Sequence, residues 1–186
     1  MGIDSLIIVA SLIFSAFFSG MEIAFVSANK IHIEIEKKQG GFLSKVLTRL
    51  TKSPSKFIAT MLIGNNVALV IYGFFMGDIL LSLFQRWSVT AYPIFHLVLT
   101  DFSLLSQTII STLIILLTAE FLPKVLFQIY ANTLIKALAL PAYVFYVLFS
   151  WVSDFVIFIS DAILKLLFKT DGDQVPMAFS KLEIGD

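Results

Sequence analysis

A chain of 186 residues with thirteen basic and thirteen acidic side chains has zero formal charge, and so no electrostatic case for nucleic-acid binding. Cysteine is absent, which excludes disulfides, thiolate metal sites and a cysteine nucleophile. Hydrophobic residues make up 58% and charged residues only 14%, against about 25% charged in an ordinary soluble domain. Mean hydropathy is +0.93. A globular core fills long before that much apolar side chain is used, so the expected class is an all-α integral membrane domain.

The N-terminus lacks a positively charged opening and its apolar run continues past Glu22, so no cleaved signal peptide is expected. Leu6 to Val26 is a first span, 21 residues or roughly 31 Å as a helix, which matches a hydrocarbon core of about 30 Å. The loop after it holds Lys30, Lys37, Lys38, Lys45, Arg49, Lys52 and Lys56. Its segment "KIHIEIEKKQGG" alternates Ile with charge, as a strand would, but a polar helix continuing span one and ended by Gly40-Gly41 is the preferred reading. "FLSKVLTRLTKSP" then has helical spacing, with Pro54 opening the next span.

Phe57 to Phe84 is the second span, long enough to tilt. The loop from Gln85 to Ser103 holds one basic residue, Arg86, together with Trp87, Tyr92 and His96. Leu104 to about Phe127 is the third span. Backbone groups in lipid must be satisfied within the segment, so all three are helices. The excess of Lys and Arg in the first loop places that loop in the cytoplasm, with the N-terminus and the second loop outside. Residues 27–56 and everything after 124 are then expected inside.

Leu138 to Phe168 is apolar enough for a fourth span, but Ser150, Ser153, Asp154 and Asp161 form a polar stripe, and a span would carry Lys165 and Lys169 across. An interfacial helix pair bent at Pro141 is preferred. Thr170 to Asp186 is polar and irregular, and reads as the start of a linker to a further region. The expected organisation is a membrane domain over 1–170 and linker over 171–186. No repeat is evident.

The polar residues inside the spans carry the functional argument. Ser11, Ser15, Ser19 and Glu22 fall on one face of span one. Gly64, Asn65 and Asn66 stand near the inner end of span two, and Glu120 and Lys124 near the inner end of span three. Pro123 has no N–H, so the Ala119 carbonyl loses its helical partner beside the Glu120 carboxylate. With the Ser15 and Ser19 hydroxyls and an Asn66 amide oxygen, the donors are all hard oxygens, which suit Mg²⁺, Ca²⁺ or Na⁺ rather than zinc or copper. Blander readings stand beside this one. Ser15, Ser19 and Gly20 equally fit close helix packing, Asn65 and Asn66 fit interhelical hydrogen bonds, Lys124 fits a snorkelling anchor, and Glu22 can reach headgroups. Glu120 is the exception, because an acid at that depth is functional by default.

The motifs "FFSGMEIAFVSA", "IGNN" and "AEFLPK", in that order, resemble the membrane domain of the CorC/CNNM family of magnesium and cobalt efflux proteins over roughly residues 1–170. The family usually has Gly where this chain has Ala119. Because the group concerned is a backbone carbonyl, Ala should preserve it with less room for a close helix. The resemblance implies a homodimer with three spans and a belt of juxtamembrane helices per subunit, in a cell membrane (the inner membrane of a bacterium or archaeon). It implies Mg²⁺ export in exchange for Na⁺, and a cytoplasmic pair of CBS modules that binds ATP, none of which lies in this sequence. Carried over, the cation ligands would be Ser15, Ser19, Asn66, the Ala119 carbonyl and Glu120. Ser11, Gly20, Glu22, Gly64, Asn65, Pro123 and Lys124 would line the path or support the ligands.

Catalysis is not expected. There is no His-Glu-x-x-His or Gly-x-Ser-x-Gly, and His32 and His96 lie in opposite loops. A membrane cation sensor or scaffold that signals to cytoplasmic modules without transporting remains the rival, since a sensing site and a transport site take the same ligands.

Overall fold

The computed structural model describes residues 2–88 and 100–168. The described residues are helical, with no strand among them. Tyr92 and His96 of the second loop, Lys169, and the linker expected over 171–186 lie outside them.

Helix α1 (Ile3–Ser27) is the first span. It ends at Ala28, whose extended backbone (φ −65°, ψ 142°) breaks the helix. The polar helix therefore does not continue span one. It restarts as α2 (Lys30–Lys38), because the Asn29 side chain accepts from the backbone N–H groups of Ile31 and His32 and satisfies two donors that a helix start leaves open. The strand reading of this segment is excluded. Gly40 and Gly41, at φ 76° and 93°, then reverse the chain in a conformation that side-chain-bearing residues rarely adopt. Helix α3 (Phe42–Lys52) follows, burying Ser44, Val46, Leu47 and Leu50 on one face.

Helix α4 (Pro54–Ser88) runs 35 residues, or about 52 Å, so it must tilt or project from a hydrocarbon layer of about 30 Å. The third span is not a uniform helix. Helix α5 (Ser103–Ile115) passes into a π turn over Leu116–Phe121, and then into α6 (Leu122–Ile129). By length and hydropathy these make three candidate spans, Ile3–Ser27, Pro54–Trp87 and Ser103–Ile129.

The segment beyond is divided differently from the expectation. Helices α7 (Ala131–Ala137) and α8 (Ala139–Leu148) meet at a bend of 63° centred on Leu138, not at Pro141. Pro141 sits in the first turn of α8, where a missing N–H costs nothing. Its ring excludes only the helical carbonyl four residues earlier, at Ala137, and the break falls there. Helix α9 (Ser150–Phe168) completes the chain. Only if α7 and α8 together count as one span does the number rise to four. The Phe145 ring of α8 lies 5.8 Å from that of Phe14 on α1.

The core gathers where α1 ends. Phe18, Met21, Ala24, Leu47, Leu50, Phe57, Met61, Ile135, Ala139 and Ala142 are buried together. Polar ties close the same end. Asn29 N–H donates to Asn132 (2.7 Å), Lys136 pairs with Glu36 (2.7 Å), Lys56 pairs with Asp154 (2.6 Å), and Arg49 donates to Tyr143. The basic loop and the belt therefore occupy one end of the bundle. Elsewhere the surface is strongly apolar, with Leu104, Leu113, Phe121, Phe158 and Leu166 all exposed, as lipid-facing helices require.

Candidate functional site

Two hydroxyls one turn apart on α1 organise the site. The Ser15 hydroxyl donates to Asn65 Oδ1 of α4 at 2.6 Å, and the Ser19 hydroxyl donates to the Ala119 carbonyl of the π turn at 2.7 Å. Ser15, Ser19 and Ala119 are fully buried. A serine whose proton is committed this way still has oxygen lone pairs to offer a cation, and a carbonyl accepting one hydrogen bond keeps a second lone pair. Small residues bring the three spans this close. A methyl on Gly20 would stand 2.6 Å from the Phe127 ring, and one on Gly64 would stand 2.6 Å from the Phe18 ring. Those two glycines are packing residues first.

The π turn is what the third span adds. Pro123 cannot donate to Ala119 in an α ladder, and the chain widens to i→i+5 bonding, with Leu122 N–H on the Leu117 carbonyl. The Ala119 carbonyl is thereby turned to Ser19 of another helix. Beside it, Glu120 Oε2 lies 2.9 Å from Lys124 Nζ, both side chains partly buried. Glu22, one turn beyond Ser19, is half-buried and within electrostatic reach of both Glu120 and Lys124.

The other sequence-derived candidates separate clearly. Ser11 is buried, and its hydroxyl donates to the Ile7 carbonyl of its own helix at 2.8 Å. Asn65, not Asn66, faces Ser15; Asn66 is exposed on the next face of α4. The polar stripe on α9 has one buried member, Ser153, whose hydroxyl meets Thr60 of α4 at 2.8 Å, while Asp154 pairs with Lys56. These join the belt to the second span and stand apart from the Glu120 cluster. Among the described residues no three His, Asp or Glu side chains group to hold a metal. A cation here would be held by hydroxyl, amide and carbonyl oxygens around a single acid, a donor set suited to a hard ion.

Sequence reasoning missed the π turn. Its one trace is a proline four residues after a small residue at membrane depth, a pattern that marks a lost hydrogen bond without saying how the helix recovers.

A comparison with protein families matches the Cyclin M transmembrane N-terminal domain (CNNM) over residues 6–184. No curated protein matches the chain. The chain belongs to the CNNM transmembrane domain family, a multi-pass membrane protein whose role is related to metal transport.

Proposed function

We propose that this domain exports Mg²⁺ through an all-oxygen site between its three spans, coupled to Na⁺ entry. The observation that carries the reading is the Ser19–Ala119 contact: a buried hydroxyl meets a freed carbonyl one residue before Glu120, whose carboxylate pairs with Lys124. Ser15, Ser19, the Ala119 carbonyl and Glu120 supply four oxygens. Asn65 supplies the amide by its contact with Ser15, whereas the family resemblance names Asn66, which is exposed on another face of α4. Water retained by the ion fills the rest of its octahedron. Glu120 supplies the charge that draws a divalent ion out of water. A divalent ion in turn offsets the cost, roughly 2.5–3.5 kcal/mol, of holding an ionised acid at membrane depth.

The orientation proposed is N-terminus outside, with α2, α3 and the belt in the cytoplasm, since the seven basic residues between Lys30 and Lys56 lie at the end where the belt packs. The assembly proposed is a homodimer, with cytoplasmic CBS modules that bind ATP continuing from the region 171–186. Direction and counter-ion rest on the family resemblance, not on these residues.

Reconstituted vesicles decide between transport and sensing. Loaded with Mg²⁺ and given an opposing Na⁺ gradient, vesicles bearing the chain should release Mg²⁺ faster than empty ones, and collapsing the gradient should slow them. Binding of Mg²⁺ with no flux under either condition would leave only the sensor.

A further inference from the structure

We infer that Lys124 and the transported cation compete for the Glu120 carboxylate, and that Glu22 receives the ammonium group when the cation displaces it. This rests on the reading of Glu120 as the cation-binding acid. Glu120 Oε2 is claimed by Lys124 Nζ at 2.9 Å across one helical turn. A divalent ion on that carboxylate would put two like charges within a few ångströms in a poorly screened setting, so the two cannot share it on equal terms. The ammonium needs a second carboxylate within the sweep of its four-carbon stem.

The helix geometry supplies one. Ser19 of α1 touches Ala119, and Asn29, just past the end of α1, touches Asn132, just past the end of the third span, so the two spans run parallel. Glu22, one turn past Ser19, is therefore level with the turn that carries Lys124. Glu22 interacts electrostatically with Lys124 and Glu120. Among the described residues it forms no ion pair, so its carboxylate is available. Three charged groups from two helices thus make a relay with one ammonium and two acids. Cation arrival moves the ammonium toward α1, and its return to Glu120 helps to expel the cation.

The test is a Mg²⁺ titration, by calorimetry, of the chain in phosphatidylcholine nanodiscs, comparing wild type, Lys124→Gln, Glu22→Gln and the double variant. Removing the competitor should tighten Mg²⁺ binding roughly three- to tenfold in Lys124→Gln. Glu22→Gln should weaken binding by a similar factor, and the double variant should behave like Lys124→Gln, because no ammonium is left to place. Lys124→Met repeats the first arm should Gln disturb insertion. Weaker or unchanged binding in both Lys124 variants would overturn the proposal. So would a Glu22→Gln loss that persists in the Lys124→Gln background, which would mark Glu22 as a direct ligand or a simple field effect. Glu120→Gln, titrated in parallel, separates the two layers: wild-type affinity there would sink the site itself, whereas lost binding there with a failed cycle would sink only the relay.

Discussion

The first and third spans have similar apolar compositions and opposite characters. In α1, 39% of the most apolar stretch is buried within the chain; in the third span the figure is 11%, and α5 buries no residue at all. Hydroxyls on the two helices follow this in part. Ser15 and Ser19 of α1 bond to other helices, while Ser11 of α1 and Thr108 and Thr118 of the third span bond back to carbonyls of their own helices. A hydroxyl that bonds its own helix is satisfied cheaply and adds nothing to a site. One span is thus a packed scaffold that presents side chains. The other is mostly exposed, and its proposed contributions, a carbonyl and an acid, come from an irregular turn. The charge proposed to bind the cation thus sits on the least buried of the three spans.

Four substitutions sharpen or break this contrast. The largest effect is expected at Phe18, which is buried on α1 with the Phe145 ring 4.8 Å away and Phe149 at 6.4 Å. Phe18→Ala should cost about 3–5 kcal/mol, read as a lowered midpoint of unfolding in detergent. Pro123→Ala comes next. An N–H at position 123 lets the Ala119 carbonyl rejoin the α ladder, so the π turn should relax and Mg²⁺ affinity fall about tenfold or more while helix content holds or rises. Unchanged affinity in that variant would show that the freed carbonyl is not a ligand. Ser19→Ala should cost about 1 kcal/mol in stability and weaken Mg²⁺ severalfold, since water can replace a neutral ligand. The smallest effect is expected at Phe121 of the third span, 61% exposed toward lipid. Phe121→Ala should shift the unfolding midpoint by less than about 1 kcal/mol, and a loss as large as that at Phe18 would mean that this face is covered by another subunit.

The spans were legible in the sequence because a membrane imposes a length and an apolar composition that few other demands produce, and the basic first loop marked one end of the bundle. The acid at 120 and the carbonyl freed by Pro123 were legible for the same kind of reason, since each is expensive at depth. Finer placements were not. Asn65 and Asn66 differ by about 100° around α4, and neither composition nor spacing states the rotation of a helix whose apolar residues lie on every side. The π turn depends on how the backbone recovers from a missing donor, a choice made by packing against α1. Pro141 misled because a proline breaks the ladder behind itself, so the bend lies at Leu138. Gly20 and Gly64 read as part of a site until the Phe127 and Phe18 rings took the space.

The central claim is that one carboxylate on the third span holds the cation. Its most direct test is Mg²⁺ binding by Glu120→Gln, which keeps the size and hydrogen bonding of the side chain and removes only the charge. The account predicts a folded, inserted protein that binds Mg²⁺ about a hundredfold more weakly than wild type. Wild-type affinity in that variant would contradict it and move the site along α1 toward Glu22.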